Sequence, residues 1–360
     1  MHKGAKRIIG RGAQIAPPNR YERVAQTEDL EQLPPEEVLE SQERRLPTEF
    51  LPNHTRRLIC ENDSPDIGFR YSINPYRGCE HGCAYCYARP THELMGLNAG
   101  IDFETKILVK HDAPQLLRAE LGSPRWRPET IVISGVTDCY QPGERKYKIT
   151  RGCLEVMLEA RHPVGIISKN VLMLRDLDII RQLAERQLIR VFLSITTLDA
   201  ELARTMEPRT ATPAAKLRAI RELTDAGVSV GIMVAPIVPG LTDAETPAIL
   251  KAAAEAGAQT AGYVLLRLPL TVEPVFDDWL KRSYPLKAER VLSLIRSTRR
   301  GRMYTSEWRV RQRGEGPYAE QIGQNFKVFA RRYGLDGSLP DLDCTQFQPP
   351  RQAGGQMQLF

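Results

Sequence analysis

The sequence predicts an α/β fold, a partial (β/α)6 TIM-type barrel with an extended N-terminal arm and a helical C-terminal extension. Three observations carry this. Between Tyr71 and Leu266, short β-branched runs alternate with segments whose apolar residues recur at helical spacing, the pattern of parallel βα units. Six such units occur, fewer than the eight of a closed barrel, so one side is left open. The flanks differ from the centre: residues 1–50 are rich in Pro, Arg, Glu and Gln without a sustained period, whereas helical spacing alone returns after Pro269.

The first strand, residues 71–75, runs straight into a cysteine-bearing loop. The second, 131–134, is stopped by Gly135 and followed by a helix over about 150–161. Strand 164–168 leads to a helix over 172–186 with Leu174, Leu177, Ile180 and Leu183 on one face. Strand 190–195 precedes a helix that opens on Thr212-Pro213, cap and first turn, and ends near Gly227. Strand 228–236, a helix over 243–256 and strand 260–266 complete the barrel. Helices are predicted at about 273–283, 286–299 and 319–333, interrupted by Arg299, Arg300, Arg302, Arg309, Arg311 and Arg313. The predicted divisions are an extended or disordered arm (1–60), the barrel (61–270), a helical extension (271–340) and a flexible tail (341–360). Gly10-Arg11-Gly12-Ala13 and Asn19-Arg20-Tyr21 in the arm are candidates for phosphate contacts.

With 360 residues and 42% hydrophobic content the chain can bury a sizeable core. No run of about 18 apolar residues occurs, so no membrane span is expected. Met1-His2-Lys3-Gly4 is not followed by an apolar stretch, which argues against a secretory signal and for a cytoplasmic, reducing location. The net charge of +6 permits a polyanionic partner without singling one out.

The chemistry concentrates in Arg77-Gly78-Cys79-Glu80-His81-Gly82-Cys83-Ala84-Tyr85-Cys86-Tyr87. Three thiolates within eight residues can wrap one small metal centre but do not supply four ligands. Structural zinc wants a closed set of four, usually as two C-x₂-C pairs, and here His81 or His92 would have to complete it. An iron–sulfur cube on three cysteines leaves one iron open. A disulfide framework is disfavoured by only seven cysteines in a chain without a signal.

This loop resembles the C-x₃-C-x-aromatic-C signature of the radical S-adenosylmethionine enzymes, with Cys79, Cys83, Tyr85 and Cys86 in matching places. The resemblance implies a [4Fe–4S] cluster on Cys79, Cys83 and Cys86 and S-adenosylmethionine on the open iron. It also implies a 5′-deoxyadenosyl radical able to abstract hydrogen, and a reductase partner such as flavodoxin or ferredoxin.

In parallel barrels the functional loops leave the C-terminal ends of the strands. After the second strand comes Ser134-Gly135-Val136-Thr137-Asp138-Cys139, small and hydroxylated residues where the backbone must approach a zwitterion. After the third sits Ser168-Lys169-Asn170, and Lys169 can pair with a carboxylate. After the fourth comes Ser194-Ile195-Thr196-Thr197, hydroxyls suited to ribose or amino-acid contacts. With Glu207-Pro208 and Gly231–Ile237, these loops are similar to the spore photoproduct lyase-like branch over about residues 70–270. That likeness implies that Thr137, Lys169 and Ser194 hold the methionyl end of the cofactor, with Tyr85, Asp138, Thr196 and Glu207 in the same cofactor set. It places Tyr85 and Tyr87 near the radical path. The branch's hydrogen-donating cysteine is replaced here by Gly135, and Cys139, four residues on, is the candidate that remains.

The last residues, Gln356-Met357-Gln358-Leu359-Phe360 after Gly354-Gly355, resemble the peptide by which bacterial repair proteins dock on the sliding clamp. Through Gln356, Met357, Leu359 and Phe360 that likeness implies work on DNA, with the arginines of 299–313 available to phosphates. Three functions follow: a radical enzyme acting on nucleic acid, notably damaged DNA; one acting on RNA, protein or a metabolite; or a non-catalytic metal-containing DNA adaptor.

Overall fold

A computed structural model of the chain describes residues 7–22, 43–44 and 46–350. Six strands lie parallel in one sheet: β1 (Tyr71–Ile73), β2 (Ile131–Ile133), β3 (Val164–Ser168), β4 (Ile189–Ser194), β5 (Ser229–Ile237) and β6 (Thr260–Leu265). They are ordered consecutively, with Cys60–Glu61 added antiparallel to β1, and the sheet does not close between that edge and β6. Each strand is a short Ile/Val/Leu-rich run, as a sheet covered on both faces requires. Every strand expected from the sequence is present, with ends displaced by at most two residues.

Helices α1 (Ala113–Leu121), α2 (Ile149–Glu159), α3 (Leu177–Ala184), α4 (Pro213–Asp225) and α5 (Thr246–Glu255) follow β1 to β5 in turn. The cap expected of Thr212 forms: its side chain accepts from the Ala215 N–H, with Pro213 opening α4. The main core joins these helices to the sheet, with Ile133, Ile166, Val191 and Ile232 of the strands in one cluster with Leu154, Ile180, Ile220 and Leu250 of the helices.

Beyond β6, α6 (Val272–Ser283), α7 (Pro285–Ser297) and α8 (Pro317–Arg332) occupy the predicted helical positions. Trp279 and Phe276 of α6 and Val291 of α7 share a second apolar cluster with Cys83, Ala84 and Tyr85, so these helices back the cysteine loop. The Trp279 indole donates to the Thr205 carbonyl at 2.9 Å. Among the described residues no helix is long and apolar enough to cross a membrane.

A small three-stranded sheet was not foreseen. Glu49–Pro52 and Lys106–Val109 run parallel, and Tyr76–Arg77 joins antiparallel. It fixes the chain immediately before Gly78 and Cys79.

The open side of the barrel is bridged. Asp66, in the turn beside the Cys60–Glu61 edge, accepts from the Arg309 N–H at 2.6 Å and from Arg311 Nε at 2.7 Å. Arg311 also donates to Ser64 Oγ at 2.5 Å and lies over the Trp308 ring.

Candidate active site

The cysteine loop is held from both ends by backbone bonds. Cys79 N–H donates to Phe103 O at 2.9 Å, and Ala84 N–H to Met206 O at 3.0 Å. Gly78 and Gly82 turn it with φ of 79° and 65°, in the left-handed region glycine adopts freely. At both places a Cβ would also collide: at Gly78 with His92 and at Gly82 with the Glu104 carboxylate 2.6 Å away. Gln141, fully buried, accepts from the Glu80 N–H at 2.9 Å and donates to Gly78 O at 3.2 Å.

A buried ion pair braces the loop from behind. Arg89 donates to Cys83 O at 2.8 Å and 3.2 Å, to Gly100 O at 2.9 Å and to Glu104 Oε1 at 2.5 Å. Glu104 also accepts from the N–H groups of Gly12 and Ala13, at 3.0 and 2.8 Å. Arg11 donates to Glu104 O, Leu46 O and Thr48 Oγ1. The Gly10–Ala13 stretch offered to phosphates by the sequence is therefore packed under the loop, its arginine buried among protein acceptors.

Cys79 and Cys83 are buried, Cys86 is partly so, and all three are free thiols. Burial pushes each thiol above the ordinary cysteine range; Asp138 and the other two cysteines add to this at Cys79 and Glu207 at Cys83, whereas Arg89 opposes it at Cys86. Three neighbouring buried thiols with no disulfide fit a group that binds them as thiolates. Among the described residues no three His, Cys, Asp or Glu side chains converge on one metal-ion position. A four-iron cube takes each thiolate on a separate iron and does not require such convergence. His81 and His92 do not extend the set to a zinc site: His81 approaches Asp138 and Asn170, and His92 Nε2 lies 2.9 Å from Lys106 O.

Beside the loop, five donors meet one carboxylate. Glu207 Oε1 accepts from Tyr85 OH, from Thr196 Oγ1 at 2.6 Å and from Lys169 Nζ at 3.2 Å. Glu207 Oε2 faces Lys216 Nζ at 3.2 Å and Thr210 Oγ1 at 3.4 Å. Lys169 further donates to Ala235 O at 2.8 Å and lies over the Tyr85 ring. Although burial alone would raise it, the Glu207 carboxyl is held far below the usual range by Lys169, Lys216, Thr196 and Tyr85. The sequence-derived Tyr85, Lys169, Thr196 and Glu207 thus come together. Lys216 was missed, because a lysine in the first turn of a helix carries no local sign of burial.

The other candidates are placed differently. Asp138 accepts from Ser168 Oγ and the Lys169 and Tyr140 N–H groups, all at 2.8 Å, which fixes the end of β3. Thr137 donates its hydroxyl to Tyr76 O at 2.6 Å. Ser194 is buried at the end of β4. Cys139 is fully buried in the main core, and its thiol is pushed up by burial and Asp138. Tyr87 is 46% exposed: its hydroxyl donates to Gly135 O, just past β2, at 2.8 Å, and Arg267, just past β6, lies over its ring at 5.2 Å. It therefore touches residues that follow both β2 and β6.

Of the arginines offered to phosphates, Arg299 is buried and donates to Leu266 O and Arg311 O, and Arg300 pairs with Glu315 at 2.6 Å. Arg313 lies over Tyr263 at 4.1 Å. Gln356, Met357, Leu359 and Phe360 lie outside the described residues.

Residues 73–253 match the family described as the Radical SAM superfamily. An uncharacterised protein of Mycobacterium tuberculosis is 38% identical over 232 residues, covering 64% of this chain and 68% of that protein. One from Methanocaldococcus jannaschii is 29% identical over 218 residues, 61% of this chain and 78% of that protein. Among solved structures, spore photoproduct lyase complexed with dinucleoside spore photoproduct superposes with a TM-score of 0.56 at 15% identity, covering 79% of each chain. A mutant of that lyase with bound AdoMet and the same dinucleoside gives 0.54 at 16% identity, covering 79% of this chain and 78% of that one. At such identity the likeness shows the fold.

Proposed function

Because the chain belongs to the Radical SAM superfamily, whose members use a [4Fe–4S] cluster and S-adenosylmethionine, we propose that it abstracts hydrogen from a nucleic-acid substrate, damaged DNA in particular. Cys79, Cys83 and Cys86 would hold the cluster. When bound, the two groups supply a 5′-deoxyadenosyl radical. The observation that carries the reading is Tyr87, half exposed at the end of the buried cysteine loop with its hydroxyl on Gly135 O.

The chain's own residues divide the work. Lys169, outermost of the charged groups around Glu207, takes the carboxylate of the methionyl end, with Thr196 and Ser194 beside it. Tyr85, its hydroxyl tied to Glu207, packs against the cofactor and excludes water. Tyr87, rather than the core-buried Cys139, serves hydrogen transfer at the substrate. The dinucleoside spore photoproduct bound to the structurally similar lyase is what favours DNA over RNA, protein or a metabolite. Gln356, Met357, Leu359 and Phe360 belong to the same reading as an anchor to the sliding clamp, which Phe360→Ala should release.

The test is anaerobic reconstitution with iron and sulfide, reduction with dithionite, and assay of 5′-deoxyadenosine with ultraviolet-damaged oligonucleotides, intact DNA and RNA. Formation that depends on Cys79, Cys83 and Cys86 and is stimulated by damaged DNA is expected. Stimulation by RNA alone would move the substrate, and stoichiometric zinc without cleavage would leave only the adaptor.

A further inference from the structure

We propose that Lys216 is a positioning residue for the amino-acid end of S-adenosylmethionine: it keeps Glu207 neutralised when Lys169 turns from Glu207 to the cofactor's carboxylate. This rests on the cofactor reading above.

The argument begins with a charge count. Two ammonium groups, Lys169 and Lys216, face opposite oxygens of the one Glu207 carboxylate at 3.2 Å each. The trio carries one net positive charge in a region where water is scarce. Its members are not equally placed: the Glu207 and Lys216 side chains are 1% and 2% exposed, whereas that of Lys169 is 17% exposed. Only Lys169 can meet an incoming anion.

With Lys169 as its sole counter-charge, Glu207 would compete with the cofactor for it, and success of the cofactor would strand a buried carboxylate. Stranding a buried charge is far costlier than leaving a pair intact. Lys216 removes the conflict. After the exchange Lys169 holds the cofactor's carboxylate and Lys216 holds Glu207, so each anion keeps one cation. Glu207 then still accepts from Thr196 and Tyr85, so the Tyr85 hydroxyl stays anchored.

The fold makes Lys216 suited to stay behind. It stands in the first turn of α4, where its N–H donates to Thr212 O at 3.0 Å, and Thr212 caps the helix. Among the described residues its ammonium group donates to Glu207 Oε2 at 3.2 Å, on the side away from Lys169.

Equilibrium dialysis on the cluster-loaded protein tests this with two ligands that share the adenosine end. S-Adenosyl-L-homocysteine carries the amino-acid carboxylate; 5′-methylthioadenosine lacks it. In Lys216→Met the Kd for the first should rise by about tenfold or more while that for the second changes less than about twofold. Equal weakening of both, or of neither, would overturn the proposal. Should Lys216→Met fail to fold, Glu207→Gln/Lys216→Met removes the stranded charge and leaves Lys169 unopposed. That double variant should bind S-adenosyl-L-homocysteine within about threefold of the wild type, and continued weak binding overturns the proposal. Wild-type protein that binds neither ligand would instead sink the cofactor reading on which it stands.

Discussion

Arg89 and Glu104 meet at 2.5 Å with neither side chain exposed, and together they tie the cysteine loop to the segment around Gly12. Breaking one member of a buried pair leaves a charge without compensation, which costs about 3–5 kcal/mol. Glu104→Leu and Arg89→Met should therefore each lower the urea midpoint strongly and reduce iron and sulfide uptake. The combined variant should recover part of the midpoint, because no lone charge is left, but not the metal content, because Cys83 O loses its donor. Full metal uptake by either single variant would show that the loop holds itself.

Gly82 admits no side chain. In Gly82→Ala the residue must keep φ near 65° and clear Glu104 Oε2 at 2.6 Å. The left-handed backbone alone costs about 1–2 kcal/mol. The expected outcome is reduced cluster content at nearly unchanged far-ultraviolet circular dichroism, since the strain is confined to the loop. Gly227→Ala, also at positive φ but with open space around it, is the control and should keep its iron.

The three loop thiols set a pH dependence for the metal-free protein. Burial raises their pKa, so the folded state favours the protonated form. That contribution is fully present below the unfolded cysteine value of about 8.5 and is lost as pH rises above it. Thermal unfolding of metal-free protein should show Tm falling from about pH 8.5 upward, more steeply than in a Cys79→Ala/Cys83→Ala/Cys86→Ala variant. Identical slopes would mean that these thiols are not buried in solution.

His162 sets the acid side. Its Nε2 accepts from the Trp126 indole at 3.1 Å and its Nδ1 faces Pro163 O at 3.0 Å, so the ring is neutral. Burial lowers its pKa from 6.5 to about 4. Stability from this group is present above pH 6.5 and is lost as pH falls toward 4, on the order of 3 kcal/mol in all. Chemical denaturation at pH 7 and pH 4.5 should show this loss in the wild type and a smaller one in His162→Gln.

Tyr87→Phe separates folding from turnover. The hydroxyl bond to Gly135 O is half exposed, so its removal should cost no more than about 1 kcal/mol. Cofactor cleavage should persist while substrate conversion drops by at least about tenfold. A large fall in cleavage itself would assign the residue to the cofactor instead.

The six strands, four of the five helices that follow them, and the three-cysteine loop were legible because each is a local pattern. Apolar runs, helical spacing, the Thr212-Pro213 start and the C-x₃-C-x₂-C interval act over a few residues. Lys169 and Thr196 were found for the same reason, since strand ends are local and the parallel sheet brings them to one rim. Helix α1 went unread because its buried face is short, Ala113, Leu117 and Leu121, and begins on a residue as small as alanine.

What the amino-acid order by itself determined is therefore the succession of βα units and the chemistry of one loop. The tertiary structure alone decided which polar groups became buried partners. Glu104 reaches Ala13 across 91 positions and Asp66 reaches Arg311 across 245. An arginine read as a phosphate contact became a brace at Arg11, and Lys216, unremarkable on its helix, became the inner counter-charge of Glu207. The reason is physical: a charge is cheap in water wherever it lies in the sequence, and acquires a specific role only when folding removes that water and leaves one opposite group within reach.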